Sequence, residues 1–166
     1  MNRKYSFAPV IDSNTRLLVL GSLPGEVSLA HGQYYANRHN HFWRLMAQVI
    51  GEDLPDMDYP TRLQTLLKHG IGLWDVVAAA RRDGSLDSSI REHTGNNVIA
   101  LAQSLPNLGA IAFNGGTAAK LGLKQLGVHA ANYRVLQLPS SSPAYTLAFV
   151  EKLVAWKALQ DMLKEN

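Results

Sequence analysis

The segment Arg16-Leu-Leu-Val-Leu-Gly-Ser22 sets the fold prediction, because its apolar residues run without a polar break and end at a glycine. Three later segments repeat this pattern, over residues 70–77, 109–116 and 133–140. Continuous apolar runs of this length are typical of strands in a parallel sheet that is covered on both faces. The sequence therefore predicts a central, mainly parallel sheet of four strands.

Between these strands, apolar residues recur at the spacing of a helix. This spacing predicts helices over residues 41–50, 59–69, 96–104 and 117–126, and one long amphipathic helix over 146–164. Strands that alternate with helices indicate an α/β fold in which helices cover the sheet. Ligands of such sheets bind beyond the carboxyl ends of the strands, so the loops after the four strands are where a site is expected.

Length and composition narrow the class of protein. The 166 residues fit one domain spanning residues 1–166. The chain has no cysteine, which excludes disulfide scaffolds, iron–sulfur clusters and a cysteine nucleophile. No apolar run reaches the roughly 18 residues of a membrane span, and the N-terminus lacks the apolar stretch of a signal peptide. We therefore expect a cytoplasmic protein that does not engage a membrane.

The net charge of +3 conceals a pattern along the chain. Residues 1–45 and residues 106–166 each carry +3, whereas residues 46–105 carry −3. A mild excess of this kind permits a polyanionic partner without requiring one. On charge alone, ordinary surface charge is the simpler interpretation.

The loop after the first strand has two notable parts. It begins Gly21-Ser-Leu-Pro-Gly25, where glycines and a proline permit close backbone approach to a ligand, although an ordinary turn has the same composition. It continues as Tyr34-Tyr-Ala-Asn-Arg-His-Asn-His-Phe-Trp43, which crowds stacking and hydrogen-bonding side chains together. We expect Phe42 in the core and Asn40 as the N-cap of the next helix, a role compatible with function.

The later loops hold three further candidates. Asn114, in Phe-Asn-Gly-Gly, offers a donor and an acceptor to a base edge, but Asn-Gly is also a common turn. Ser140–Ser142, bracketed by prolines, can hold a phosphate through hydroxyls and amides, or can form a plain turn. Asp75 ends the second strand, where a general base and a structural loop cap are both open and structural support is favoured.

Three histidines, His31, His39 and His41, lie close in sequence and raise the question of a metal site. No carboxylate lies among them, and a spacing of two places His39 and His41 on one face only of a strand, whereas this stretch is predicted as a loop. We therefore predict no metal site. The absence of a G-x-S-x-G elbow also disfavours a hydrolase with a serine nucleophile.

Together these segments resemble the uracil-DNA glycosylase superfamily and, within it, the branch of hypoxanthine-DNA glycosylases. The matching elements keep their order over nearly the whole chain: Gly21–Gly25, Tyr34–Ala36 with Asn40–Trp43, Gly72–Asp75, Phe113–Gly115 and Leu138–Ala144. Two positions depart from the pattern of the family. Asn37-Arg38 replaces the usual His-Pro, and Leu138 stands where other branches carry a histidine that supports uracil excision.

The resemblance implies a three-layer α/β sandwich and a monofunctional DNA glycosylase of base excision repair. Such an enzyme flips out a deaminated base, here expected to be hypoxanthine, and hydrolyses its N-glycosidic bond to leave an abasic site. Asn40 is implied as the catalytic residue that positions water, since Leu23 replaces the asparagine that other branches use. The base contacts implied are Tyr35, Phe113, Asn114, Ser22 and Leu23. The phosphate contacts implied are Gly21, Pro24, Gly25, Pro139, Ser140, Ser141 and Ser142.

DNA with deaminated bases is the expected partner of a monomeric enzyme, and no metal or organic cofactor is implied. No lysine lies in these loops, so we expect no Schiff base and no strand cleavage. Two alternatives stay open. Uracil could be the main substrate, although Leu138 and the missing first-motif asparagine argue against it. The chain could also be a non-catalytic nucleic-acid-binding module, although Asn40 together with Tyr35 favours an enzyme.

Overall fold

The computed structural model describes residues 3–164, so the first two and last two residues of the predicted 1–166 domain lie outside the described residues. The strands are β1 (Arg3–Tyr5), β2 (Leu17–Gly21), β3 (Ile71–Asp75), β4 (Val77–Arg81), β5 (Arg91–Gly95), β6 (Ala110–Asn114) and β7 (Arg134–Leu138). The helices are α1 (Glu26–His31), α2 (Phe42–Ile50), α3 (Tyr59–Lys68), α4 (Val98–Ser104), α5 (Gly116–Leu126), α6 (Phe149–Trp156) and α7 (Leu159–Lys164).

The predicted central sheet is confirmed. Four strands pair in parallel in the order β3-β2-β6-β7, with β2 between β3 and β6. Leu17 and Val19 point into a core packed against α2, α3, α6 and α7, whereas Leu18 and Leu20 point into a second core packed against α4 and α5. Both faces of β2 are thus buried, which explains its continuous apolar run and makes the fold a three-layer α/β sandwich.

A second, antiparallel sheet of strands β1-β4-β5 lies beside the first and is missing from the sequence prediction. The predicted strand 70–77 contains all of β3 and the first residue of β4, which are separated only by Val76. The Ala-rich β4 and the exposed, polar β5 each contain a single β-branched residue and no aromatic one, so neither has the composition that indicates a strand. Pairing with β1 and with each other, rather than their own sequence, defines them as strands.

The predicted helices are present with shifted ends, and one is divided. Helix α3 begins after Asp58, whose side chain accepts a hydrogen bond of 2.9 Å from the Thr61 N–H. The segment predicted as one helix over 146–164 starts only at Phe149 and separates into α6 and α7. Hydrogen bonds between residues three apart tighten the chain at the junction, which places both Trp156 and Leu159 in the core. Among residues 3–164, no helix has the length and apolar character that crossing a bilayer requires.

Helix α5 approaches the sheet closely at Gly122, opposite Phe113 of β6. A Cβ atom at Gly122 would lie 2.1 Å from the Phe113 ring, so this contact requires glycine. The Phe113 ring is fully buried in this interface. The packing fixes the end of β6 and the start of α5, where the candidate site lies.

Candidate active site

A cavity of about 580 Å³ opens at the carboxyl ends of the parallel strands. Its walls come from the loops after β2, β4, β6 and β7, and from the first residues of α5. The predicted site residues that line it are Gly21, Ser22, Leu23, Pro24, Gly25, Tyr35, Asn40, Asn114, Ser140, Ser141 and Ser142. The fold therefore brings together all of the predicted site residues except Phe113 and Pro139.

Four strand ends form one row across the floor of this cavity. Asp75 pairs with Gly21, and Asn114 pairs with Leu138. Leu20 pairs with Phe113, which places Asn114 level with Gly21. The row therefore runs from Asp75 through Gly21 and Asn114 to Leu138. Because Gly21 has no side chain, the Asp75 Oδ1 and the Tyr35 hydroxyl approach to within 2.7 and 3.0 Å of the point where its Cβ would lie.

Phe113 and Pro139 support the site from behind. Successive side chains of a strand point to opposite faces, so Phe113 and Asn114 cannot both face the cavity. Phe113 points to α5 and is fully buried, which corrects its predicted contact with the base. The Pro139 carbonyl accepts a hydrogen bond of 2.9 Å from the Trp156 indole N–H, which ties the last loop to α6. Pro139 therefore anchors its loop and does not line the cavity.

The loop after β2 is held by a residue that the sequence analysis did not identify. Arg82 is 1% exposed, and its guanidinium donates hydrogen bonds to the carbonyls of Leu23 and Pro24. The Ser22 hydroxyl donates a hydrogen bond of 2.7 Å to Asp87, which lines the same cavity. These contacts join residues about sixty positions apart, so local sequence patterns carry no sign of them.

Tyr35 is held in an unusual backbone conformation. Its φ of +55° lies in the left-handed region, which costs energy for a residue with a side chain. Its ring stacks on Phe42, with centroids 3.9 Å apart and planes 18° from parallel. Its hydroxyl is buried in the cavity wall without a hydrogen-bond partner. Burial and, to a lesser degree, the nearby Asp75 carboxyl raise the pKa of Tyr35, so its hydroxyl stays protonated.

Asn40 combines a structural contact with free hydrogen-bonding capacity. Its Oδ1 accepts a hydrogen bond of 2.9 Å from the Phe42 N–H, the first residue of α2. The N-cap position itself belongs to His41, so the predicted cap is displaced by one residue although the Asn40 side chain does bind the helix start. Asn40 is half-buried and lines the cavity. One lone pair and both amide hydrogens remain available to a ligand or water.

The Asn114 side chain is fixed in one orientation by Ser141. The Asn114 Oδ1 accepts a hydrogen bond of 2.9 Å from the Ser141 backbone N–H, and Nδ2 donates one of 2.9 Å to the Ser141 hydroxyl. A backbone N–H can only donate, so the amide atom that faces it must be the oxygen. The Ser141 carbonyl in turn accepts a hydrogen bond from the His41 N–H, which links three loops of the cavity.

The loop after β7 is held in its conformation by the hydroxyl groups of its own serines. The Ser140 hydroxyl accepts a hydrogen bond from the Ser142 N–H, and the Ser142 hydroxyl accepts one from the Ala144 N–H. Both hydroxyls keep their hydrogens to donate. Lys152 of α6, which the sequence analysis did not consider, is fully buried behind this loop and donates a hydrogen bond of 3.2 Å to the Ser142 carbonyl.

Asp75 lines the cavity and is only 3% exposed. Its Oδ2 has no hydrogen-bond partner. A Cβ at Gly21 would lie 2.7 Å from its Oδ1, so the glycine in the first motif leaves room for this carboxyl group. Burial raises the pKa of Asp75 to about 7; the nearby Asp87 carboxylate adds to the rise and the Arg82 guanidinium opposes it.

We expect Asp75→Asn to stabilise the protein in alkaline solution. Because the pKa of Asp75 is about 7 in the folded protein, folding takes up a proton between about pH 4 and pH 7, and the free energy of unfolding falls as pH rises through this window. The uncharged amide of the variant avoids this loss, although it stays buried without a partner and keeps part of the burial cost. The expected gain at about pH 8 is about 1 kcal/mol, or roughly 2–4 °C in Tm.

Thermal unfolding of the parent and the variant at about pH 4 and pH 8 measures this difference. The two proteins should melt at similar temperatures in acid, and the variant should melt higher in alkali. A variant that melts below the parent at the higher pH would show that the Asp75 carboxylate is stabilised in the fold.

Within residues 3–164, no group of three or more His, Asp or Glu side chains is arranged to hold a metal ion. His41 packs edge-on against the Phe149 ring, with centroids 5.3 Å apart. His31 contacts the Val27 carbonyl of its own helix at 2.8 Å. These two imidazoles therefore have contacts within the fold.

The chain is similar to known proteins over nearly its whole length. The family model of the uracil DNA glycosylase superfamily matches residues 8–162. A hypoxanthine DNA glycosylase of Methanosarcina barkeri is 41% identical over 93% of this chain and 96% of its own length. Another, from Methanosarcina acetivorans, is 41% identical over 94% of this chain and 97% of its own length. The solution NMR structure of a candidate uracil DNA glycosylase from Methanosarcina acetivorans superimposes with a TM-score of 0.86 at 40% identity, covering 99% of this chain and 100% of that chain.

Proposed function

The chain belongs to the uracil DNA glycosylase superfamily, and from this premise we propose that it removes hypoxanthine from DNA. It is a DNA glycosylase, an enzyme that hydrolyses N-glycosyl bonds. The target base is flipped out of the duplex into the cavity, and cleavage leaves an abasic site. The observation that carries hypoxanthine as the base is the fixed Asn114 amide, supported by the two relatives of that name.

The Asn114 amide selects the edge of the base. Its bonds to Ser141 use the edge of the amide on which the oxygen and one Nδ2 hydrogen lie side by side. The second Nδ2 hydrogen and the second Oδ1 lone pair point away from each other, so the amide offers a base one hydrogen bond at a time. Hypoxanthine presents a carbonyl oxygen, O6, which can accept from the free Nδ2 hydrogen. Adenine presents an amino group at that position, so with the amide locked and the base held in one orientation, donor meets donor.

Uracil also carries a carbonyl oxygen, so the Asn114 contact alone admits it. The argument against uracil rests on the neighbour of Asn114 in the row, Leu138, which stands where the resemblance places a histidine that supports uracil excision in other branches. Leu138 is apolar and 4% exposed, so it cannot supply the hydrogen bonds of that histidine. Uracil excision therefore stays the second candidate, to be compared directly with hypoxanthine.

Tyr35 is the proposed stacking partner of the flipped base. One face of its ring is already covered by Phe42, which leaves its cavity side for a second flat ring. A base that stacks there recovers some of the energy lost on leaving the duplex, a gain of about 1–3 kcal/mol for aromatic contacts with bases. The stack and the Asn114 amide together would hold the base in the orientation that the edge contact requires.

Asn40 is the proposed catalytic residue. As the N-glycosidic bond breaks, positive charge develops on the sugar and negative charge on the base. The free lone pair of the Asn40 Oδ1 can accept a hydrogen bond from the attacking water, and the partial negative charge of this oxygen would stabilise the developing positive charge. Its hydrogen bond to Phe42 holds this oxygen in place before the substrate arrives.

The phosphates on either side of the flipped nucleotide are assigned to two loops. Residues 21–25 supply backbone groups, and Ser140 and Ser142 supply hydroxyl hydrogens that the loop itself does not use. Gly116 and Thr117 begin α5 at the cavity, where the first N–H groups of a helix lack partners within the helix and favour negative charge. Such contacts position the DNA without reading its sequence.

The decisive experiment offers the enzyme labelled duplexes that each contain one deoxyinosine, deoxyxanthosine or deoxyuridine, with undamaged duplex as the control. We expect strand breaks only after alkali treatment, since no cavity-lining residue is a lysine that could form a Schiff base. Deoxyinosine should be cleaved fastest and deoxyadenosine left intact. Cleavage of deoxyuridine alone would reassign the enzyme to uracil, and cleavage of none would leave a binding module.

We also propose that the enzyme acts as a monomer, because one chain supplies all of the cavity-lining residues. Light scattering on the protein with and without a short deoxyinosine duplex measures this directly. A mass of twice the chain mass would contradict it.

A further inference from the structure

Two buried polar atoms on one wall of the cavity have no hydrogen-bond partner within residues 3–164: the Asp75 Oδ2 and the Tyr35 hydroxyl. Both side chains approach the position where Gly21 has no side chain, since a Cβ there would lie 2.7 Å from the Asp75 Oδ1 and 3.0 Å from the Tyr35 hydroxyl. An unpartnered polar atom away from water costs free energy in the folded protein. This cost is offset when a ligand in the cavity supplies the missing partner.

Among the described residues, no cation bonds the Asp75 carboxyl group, and the nearby Arg82 guanidinium offsets its burial only in part. Arg82 is the nearby positive group, and its guanidinium is used by the carbonyls of Leu23, Pro24 and Gly84. The other ionisable groups around Asp75 are Asp87, Tyr34 and Tyr35, and none of them is positively charged. Burial beside an acidic neighbour favours the neutral acid, and the pKa of Asp75 is accordingly raised to about 7. A neutral carboxylic acid has a hydrogen to donate.

Asp75 and Asn114 face the cavity from opposite sides of Gly21 in the row of strand ends. They lie on strands that flank β2, which separates them by two strand spacings, or about 10 Å. With O6 against Asn114, ring acceptors elsewhere on the purine remain for Asp75.

We propose that Asp75 is a second catalytic residue, a neutral acid that donates its proton to the departing purine. This inference rests on the proposed function. When the bond from C1′ to N9 breaks, its electron pair goes to the base, and the Asp75 proton goes to the ring nitrogen of the purine that faces Asp75. Hypoxanthine then leaves as a neutral molecule. Water adds to C1′ and releases one proton, and Asp75 takes up one proton from solvent, so the net reaction consumes only water.

The test is the pH dependence of the single-turnover rate on deoxyinosine duplex, with enzyme in excess of its dissociation constant. The parent rate should fall about tenfold per pH unit above about pH 7, as Asp75 loses its proton. Asp75→Asn should be at least about 100-fold slower below pH 7, and its profile should lack this fall. Ionisation of the substrate changes the rates of both proteins alike, so the pH profile of Asp75→Asn shows the effect of the substrate alone.

Two matched acid-to-amide variants complete the experiment. Asp87→Asn removes the acidic neighbour that raises the pKa of Asp75, so the falling limb should move to lower pH. Glu52→Gln alters a carboxyl group that contacts His69 away from the cavity, and its profile should match the parent. Circular dichroism establishes that each variant is folded.

The outcomes separate this inference from the proposed function. A parent that excises hypoxanthine with a flat profile above pH 7 overturns the role of Asp75 and leaves the function intact, whether or not any variant folds. A folded Asp75→Asn that keeps the parent rate within twofold, or keeps the falling limb, overturns it as well. A parent that removes no deaminated base overturns both.

Discussion

Replacing Asn40 by alanine should lower the single-turnover rate of hypoxanthine excision by about 100–1,000-fold and leave the affinity for deoxyinosine DNA nearly unchanged. The proposed water contact is formed fully only in the transition state, so its loss affects the rate and not binding. The Asn40 Oδ1 also accepts the Phe42 N–H at the start of α2, and losing that contact costs about 1 kcal/mol of stability. Rapid quench under single-turnover conditions measures the rate, and thermal unfolding measures the stability.

Asn40→Ser separates the two roles of this side chain. Serine can still accept the hydrogen bond at the helix start, but it is too short to reach a water that the longer amide holds. We expect a folded and nearly inactive enzyme. His39→Ala, at an exposed neighbouring position that does not line the cavity, serves as the control and should keep the parent rate. A folded Asn40→Ser with full activity would exclude Asn40 as the catalytic residue.

Asn114→Ala should reduce excision of hypoxanthine by about 100-fold or more. The variant loses the contact to the edge of the base and the order that the Asn114–Ser141 pair gives the loop, and a hydrogen bond of a desolvated group is worth about 1–3 kcal/mol. Non-specific affinity for undamaged duplex should hardly change, because phosphate contacts supply it. Comparison of excision rates with filter binding of undamaged DNA provides the measurement.

Ser141→Ala is the matched control for Asn114. It removes the hydroxyl that accepts from the Asn114 Nδ2 but keeps the backbone N–H that fixes the Asn114 Oδ1. We expect a loss of less than about tenfold, since the amide keeps its orientation. If Asn114→Ala excises at the parent rate, Asn114 is only a turn residue and the base is read elsewhere.

The central sheet could be predicted because burial on both faces leaves a direct trace in the sequence. Each of the four parallel strands appears as an apolar run that ends in a polar or glycine-containing loop. The second sheet leaves no such trace, since β5 is exposed along its whole length and β4 is rich in alanine. Their pairing is a long-range property. The tight turn that divides α6 from α7 is local, but it rests on hydrogen bonds between residues three apart, which the spacing of apolar residues does not show.

The site could be predicted in outline because the strand ends place its loops together. The resemblance to the family identifies the residues of the site, but a sequence motif does not show which way a side chain points. Phe113 was grouped with Asn114, although neighbours on a strand face opposite sides of the sheet. Asp75 was favoured as structural support, because the burial and missing partner of its carboxyl group are visible only in three dimensions. Arg82 and Lys152 act on distant backbone carbonyls, which no local pattern indicates.

The link between three loops at Ser141 has a consequence for how this enzyme tolerates genetic drift. Its contacts to the Asn114 Oδ1 and the His41 N–H both use main-chain atoms of Ser141. Inherited changes to another small side chain at this buried position therefore leave those two bonds in place. Proline does not, because it removes the N–H that orients the amide, and a large side chain would displace the loop from its buried place. The accuracy with which damaged bases are told from normal ones is thus insulated only from inherited changes that keep this side chain small.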